Sequence, residues 1–205
     1  MKKYIFGFLS TLTLLFVGCV TLQQKALKDT PPVKLEWEQG HPERAVWTQA
    51  LMAEAAQKQA SFDKATDWPT FCPGYAKLDS GTKQQVIATL IEWVAYYESS
   101  WDPTNNSVDV GQQDDPNSWS VGLLQMSVTD QQNYGFGFGY TFKDLQDGPK
   151  NLHLGMAIMG RQLERYRLIA IPAGHKGLYW STLHPGGKYD QTQPIARKTR
   201  AIRGC

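Results

Sequence analysis

The 205-residue chain carries 21 lysines and arginines against 19 acids, a near balance that excludes a nucleic-acid surface built on bulk positive charge. Its length suits one domain with a full hydrophobic core plus a tail. The four histidines, 41, 153, 175 and 184, have no metal-ligand spacing, so neither a metal nor a cofactor is expected.

At the start, Lys2 and Lys3 precede an apolar run from Tyr4 to Val17 that is too short to span a bilayer as a mature helix. Residues 1–18 therefore read as an export signal. The run ends in FVGC, which resembles the lipobox of bacterial lipoproteins and implies lipidation of Cys19; ordinary cleavage or an uncleaved anchor are the alternatives. Val20 stands where an aspartate would imply inner-membrane retention, so the expected address is a lipid anchor in the outer membrane facing the periplasm, or the cell surface in a Gram-positive organism. Cleavage before Cys19 removes two lysines and no acid and leaves a mature chain near neutrality. In an oxidising compartment the two remaining cysteines, Cys72 and Cys205, are expected to pair.

Residues 19–40 are polar, aperiodic and broken by Pro31 and Pro32, which predicts a lipidated tether ahead of a domain at 41–205. From Pro42 an alanine-rich stretch predicts a helix with Val46, Ala50 and Ala53 on one side and Trp47, Leu51 and Glu54 on another. DWPTFCPGY at 67–75 reads as a rigid turn, and Asp79 or Ser80 as the cap of the next helix.

That helix holds the chain's most informative feature. Ile87, Ile91, Val94 and Glu98 fall on one helical face, so an ionisable group continues a stripe of core residues. Pro103 disfavours helix at Asp102, placing Glu98 near the C-terminal turn. Burial and the negative end of the helix dipole both disfavour its charged form, which predicts a raised pKa and a candidate general acid. A glutamate exposed at a frayed end or paired with an arginine is the plainer alternative.

Residues 102–120 are rich in Asn, Asp, Ser, Pro and Gly and read as loop, with Asp102, Asp109, Asp114 and Asp115 as turn carboxylates that lack the spacing of a calcium loop. SVGLLQMS at 120–127 is abruptly apolar. YGFGFGY at 134–140 alternates glycine with rings, a hairpin or tight loop whose Phe136, Phe138 and Tyr140 can stack on sugars or pack in the core. A helix from about Asp147 buries Leu152, Met156, Met159, Leu163 and Tyr166. The basic tail is expected to form a short last helix ending at Gly204.

Taken together, Glu98–Ser99 with Trp101 and Pro103, and then Gly122, Leu123 and Gln125, resemble the paired motifs of the soluble lytic transglycosylase family, relatives of goose-type lysozyme. Asn151, Leu152 and Gly155 match a third signature, with Ile158 where a tyrosine is usual. Tyr179 matches a fourth, with Trp180 in place of asparagine and HPGG at 184–187 in place of its glycine-proline turn. The likeness spans residues 81 to about 190. It implies a mainly α, lysozyme-like fold with a loop or small β-hairpin lining a glycan groove, and peptidoglycan strands as substrate; it names no protein partner. It further implies that Glu98 alone first protonates the glycosidic oxygen and then, as base, draws the proton from the C6 hydroxyl of N-acetylmuramic acid, leaving a 1,6-anhydro end. Ser99, Gly122, Leu123, Gln125, Tyr179, Phe136 and Tyr140 are the expected substrate-side residues. Hydrolysis with Asp109, Asp114 or Asp115 placing a water, and a glycan-binding envelope lipoprotein without catalysis, are the alternatives.

Overall fold

A computed structural model of the protein describes residues 33–108, 114–172, 174–175 and 179–205; Cys19, the export signal and Asp109 lie outside the described residues. The described chain is mainly helical. Three long helices make its frame: α1 (Ala45–Phe62), α3 (Ser80–Ser99) and α6 (Gly148–Tyr166), with the short α2 (Trp68–Phe71), α4 (Val128–Asn133) and α5 (Phe142–Leu145) and the terminal α7 (Thr192–Arg200) around them. α1 packs against both α3 and α6, and α7 closes over α2 and α3.

Each long helix follows from its sequence. Asp79 caps α3 by accepting the Thr82 N–H at 3.0 Å, and Ile87, Ile91 and Val94 are fully buried as their spacing predicts. Ser100 and Trp101, both left-handed at φ 56° and 60°, end the helix immediately after Glu98 and Ser99. A tryptophan in this region is strained, and its indole N–H donates to the Glu92 carbonyl at 2.9 Å, fixing the turn. On α6, Leu152, Met156, Met159 and Leu163 form the buried stripe. Of the two faces offered by α1, the one carrying Leu51 and Glu54 is buried and Val46 is exposed.

The compact unit begins at Lys34, so the last residues expected in the tether belong to the domain. Trp37 is fully buried, its indole donating to Thr48 Oγ1 at 2.8 Å and its backbone N–H to the buried Glu92 carboxyl at 2.8 Å. Burial pushes the Glu92 carboxyl up to about 8, against the lowering effect of the Trp37 hydrogen bond. At the other end Cys72 and Cys205 are joined in a disulfide. Close beside it Gly74 lies against the Gly204 carbonyl, where a Cβ would come within 1.9 Å.

The small β-hairpin is formed by β1 (Asn106–Ser107) and β2 (Ser120–Val121), antiparallel, with Asn106 opposite Val121 and Ser107 opposite Ser120. The glycine-aromatic stretch is a tight loop instead. Gln131 clips it shut, its amide donating to the Tyr140 carbonyl at 2.6 Å and its Oε1 accepting the Tyr140 N–H at 2.9 Å.

Candidate active site

Glu98, on the last turn of α3, points into a cavity of about 610 Å³ whose lining includes Ser107, Ser120, Gln125, Asp130 and Tyr179. Its carboxyl is partly buried and makes no ion pair among the described residues. One hydrogen bond reaches it, from Thr182 Oγ1 to Oε1 at 2.7 Å. Burial raises its pKa, and the Thr182 hydroxyl opposes that rise by stabilising the anion. The site therefore holds a carboxyl group that keeps its proton to higher pH than an exposed one, beside a polar cavity.

The loop facing Glu98 is shaped by the Gly-Leu-Leu-Gln sequence and held from behind. Gly122 has φ +77°, and a Cβ there would meet the Leu145 carbonyl at 2.3 Å and Asn151 Nδ2 at 2.5 Å. Asn151 is fully buried on α6 and ties this loop to the end of α5: its Oδ1 accepts the Leu124 N–H at 2.8 Å, and its Nδ2 donates to the Val121 and Leu145 carbonyls at 2.8 and 2.9 Å. One turn further on, Gly155 leaves room for Leu124, whose Cδ1 would lie 2.2 Å from an added Cβ. The asparagine and glycine of the third motif thus clamp the second.

Ser99, Gly122 and Leu123 stand behind the cavity rather than in its lining. The Ser99 hydroxyl donates to the Leu123 carbonyl at 2.9 Å and to its own helix at Ala95, tying the end of α3 to the loop. Gln125 does line the cavity, at φ 51°, but its amide is engaged with the loop: Nε2 donates to the Gly122 and Asn105 carbonyls at 2.9 and 3.2 Å, and Oε1 accepts from Ser107. Its established part is to hold the hairpin to the loop, as a buried amide does.

Tyr179 donates its phenolic hydrogen to Asp130 Oδ2 and lies 3.2 Å from the Gln125 carbonyl. Burial and the Asp130 charge push the phenol well above its ordinary pKa, so it stays a donor. Asp130 also accepts the Ser127 N–H at 2.7 Å as the reciprocal cap of α4. Two residues missed from the sequence, Thr182 and Asp130, therefore touch the site's polar groups. Trp180, standing where asparagine was expected, donates its indole N–H to the Leu124 carbonyl at 3.0 Å and so adds a third brace to the loop.

Phe136 and Tyr140 are not brought to this cavity. They belong to a run of rings leading away from it, in which Tyr179 neighbours Tyr134 and Tyr134 stacks parallel to Phe136 at 6.1 Å, with Phe138 and Tyr140 beyond. Asp114 and Asp115 are also outside the lining; Asp115 caps the turn at Asn117. Among the described residues no cluster of His, Cys, Asp or Glu could hold a metal ion.

Residues 78–178 match the Transglycosylase SLT domain family, the interval that contains Glu98, the Gly122–Gln125 loop and the Asn151–Gly155 clamp. Over that interval the chain is similar to the SLT domain family. Comparison with curated proteins finds no match. Among solved structures, wild-type Bd0314 DslA and two of its glutamate-to-glutamine mutants each superpose with a TM-score of 0.72 at 24% identity, covering 86% of this chain and 100% of theirs. At that identity the likeness establishes the lysozyme-like fold, and the site is argued from this chain's own residues. Within the matched interval, Glu98 and Gln125 reach the cavity; from just beyond it Tyr179 and Trp180 join the lining, and Thr182 hydrogen-bonds to Glu98.

Proposed function

We propose that the domain is a peptidoglycan lytic transglycosylase that cleaves the β-1,4 bond between N-acetylmuramic acid and N-acetylglucosamine. The observation that carries this reading is the Glu98 carboxyl, pushed by burial towards its neutral form in a polar cavity, with no ion pair among the described residues and with the cavity's other carboxyl, Asp130, already engaged by Tyr179. Neutral Glu98 gives its proton to the glycosidic oxygen as the C1–O bond breaks. The resulting carboxylate, steadied by the Thr182 hydroxyl, takes the proton of the muramic acid C6 hydroxyl, whose oxygen closes on C1. Glu98 ends protonated, ready for another cycle, and no water is consumed. The second polar pair of the cavity, Tyr179 and Asp130, is already hydrogen-bonded internally, which favours a positioning part over a second acid-base part.

The anchoring inferred from FVGC completes the proposal: lipidated Cys19 and a polar tether hold the domain at the outer membrane, within reach of the sacculus. Hydrolysis is the second reading. In DslA the two substituted glutamates lie eleven residues apart, the interval that separates Glu98 from Asp109 here, and an aspartate at that place would have the chemistry to position a water.

Incubating purified sacculi with wild-type and Glu98→Gln protein tests the assignment. Soluble muropeptides should be released by the wild type and fall by at least about 10² in rate with the variant, while binding to sacculi persists. Equal release by both proteins would remove Glu98 from the chemistry.

A further inference from the structure

A second cavity adjoins the active-site cavity. Asn133, at the end of α4, lines both, and the neighbouring cavity of about 710 Å³ is walled by Tyr134, Tyr166 and the exposed last turns of α6 with Arg161 and Arg165. Glu164 lines the same wall, so two arginines against one acid leave it a net positive charge. Arg161 is only loosely paired, 3.8 Å from Glu164, and its guanidinium lies 5.6 Å from the Phe136 ring centroid. Arg165 makes no ion pair among the described residues and lies 5.2 Å from the Tyr166 ring. A cation lying near a ring keeps its N–H donors available, so both guanidinium groups can take carboxylates. The Tyr134 ring forms the junction, 6.3 Å from Tyr179.

We infer that this second cavity binds the peptide stem of the glycan strand lying in the active-site cavity, with Arg161 and Arg165 taking its free carboxylates and the Tyr134 and Tyr166 rings packing on its apolar side chains. The inference rests on the peptidoglycan reading above. A strand stripped by an amidase keeps only the lactyl carboxylate held close to the sugar ring, whereas a stem attached to muramic acid carries its carboxylates and aliphatic side chains further out, beside the sugar. The shared Asn133 makes the two cavities neighbours, close enough for one substituted strand to reach both. The enzyme is thereby selective for peptide-bearing strands, and Arg161 and Arg165 determine that specificity without touching the reacting atoms.

The test uses the full-length chain carrying Glu98→Gln, so that no strand is cut, and compares its binding to tetrapeptide-bearing glycan chains and to the same chains stripped by an amidase. The expected preference for peptide-bearing chains is roughly five- to tenfold, in keeping with two partly solvated charge-assisted contacts. Adding Arg161→Ala and Arg165→Ala should remove the preference and leave both affinity for stripped chains and thermal midpoint unchanged. Replacing both arginines with lysine should restore part of it and steepen its loss with salt. Absence of any preference, or a preference that survives the double alanine change, overturns the proposal. Wild-type turnover is a separate readout: a protein that prefers peptide-bearing chains yet cuts none would refute the transglycosylase reading and uphold this one.

Discussion

Replacing Thr182 with valine removes one hydroxyl from the active site while keeping the shape of the side chain. In the native protein that hydroxyl is the one donor to the Glu98 carboxyl among the described residues, at 2.7 Å, and it comes from a buried residue in the one-turn 3-10 helix Ser181–Leu183. A hydrogen bond to a charged group is worth about 1.5–3 kcal/mol and one to a neutral group about 1 kcal/mol. The difference, on the order of 1 kcal/mol, is the amount by which Thr182 favours the carboxylate. Its loss should displace the alkaline limb of the pH profile, which reports the acid, upward by roughly 0.7 of a pH unit. The sign follows from the structure: burial already raises the Glu98 pKa and Thr182 alone counteracts it, so the variant keeps its proton to higher pH. The rate at the optimum should fall several-fold, because the carboxylate formed on proton transfer loses its partner. The assay is kcat/KM for muropeptide release between pH 4 and 9. An alkaline limb that stays in place or moves to lower pH would refute the assignment of Glu98 as the titrating acid.

Two further outcomes concern the scaffold. Asn151→Ala leaves the Leu124 N–H and the Val121 and Leu145 carbonyls without their buried partner, a loss of about 3–5 kcal/mol that should lower the thermal midpoint by about 10–15 °C; a fall under about 2 °C in calorimetry would contradict the clamp. Glu92→Gln keeps an acceptor for Trp37 but does not ionise. Because the folded carboxyl sits at about 8 and an unfolded one near about 4.3, the wild type has this site's full stability at acid pH and loses it as the pH rises through that window. The variant's advantage in thermal midpoint should widen from pH 5 to pH 8, and an advantage independent of pH would show that Glu92 is not the buried acid described.

The helix ending at Glu98 was legible because two local signals agree, an apolar stripe at helical spacing and the Asp79 cap. Its termination drew on a third, Pro103, but the actual stop comes earlier, at two left-handed residues whose cause is the Trp101 indole reaching back to Glu92. Thr182 and Asp130 were not legible. They meet Glu98 and Tyr179 across 84 and 49 positions of chain, and neither residue type is unusual for a loop or a helix cap. The motif spacing of Asn151 and Gly155 was visible, but its reason, three hydrogen bonds and room for Leu124, exists only in the packed structure. Trp37 falls within the expected tether because its polar neighbours and the upstream prolines lack periodicity; a short 3-10 segment docked on a buried acid has none to show. The aromatic alternation at 134–140 fits a hairpin or a loop equally well, and the Gln131 side chain decides between them.

The most direct test of the central claim is the mass of the ends that wild-type protein leaves on purified sacculi. If Glu98 acts alone as acid and then base, each released muropeptide carries a 1,6-anhydro ring and is lighter by one water than its hydrolytic counterpart. Reducing N-acetylmuramic acid ends, with the water's oxygen incorporated from labelled solvent, would contradict the account and place a second group at the site.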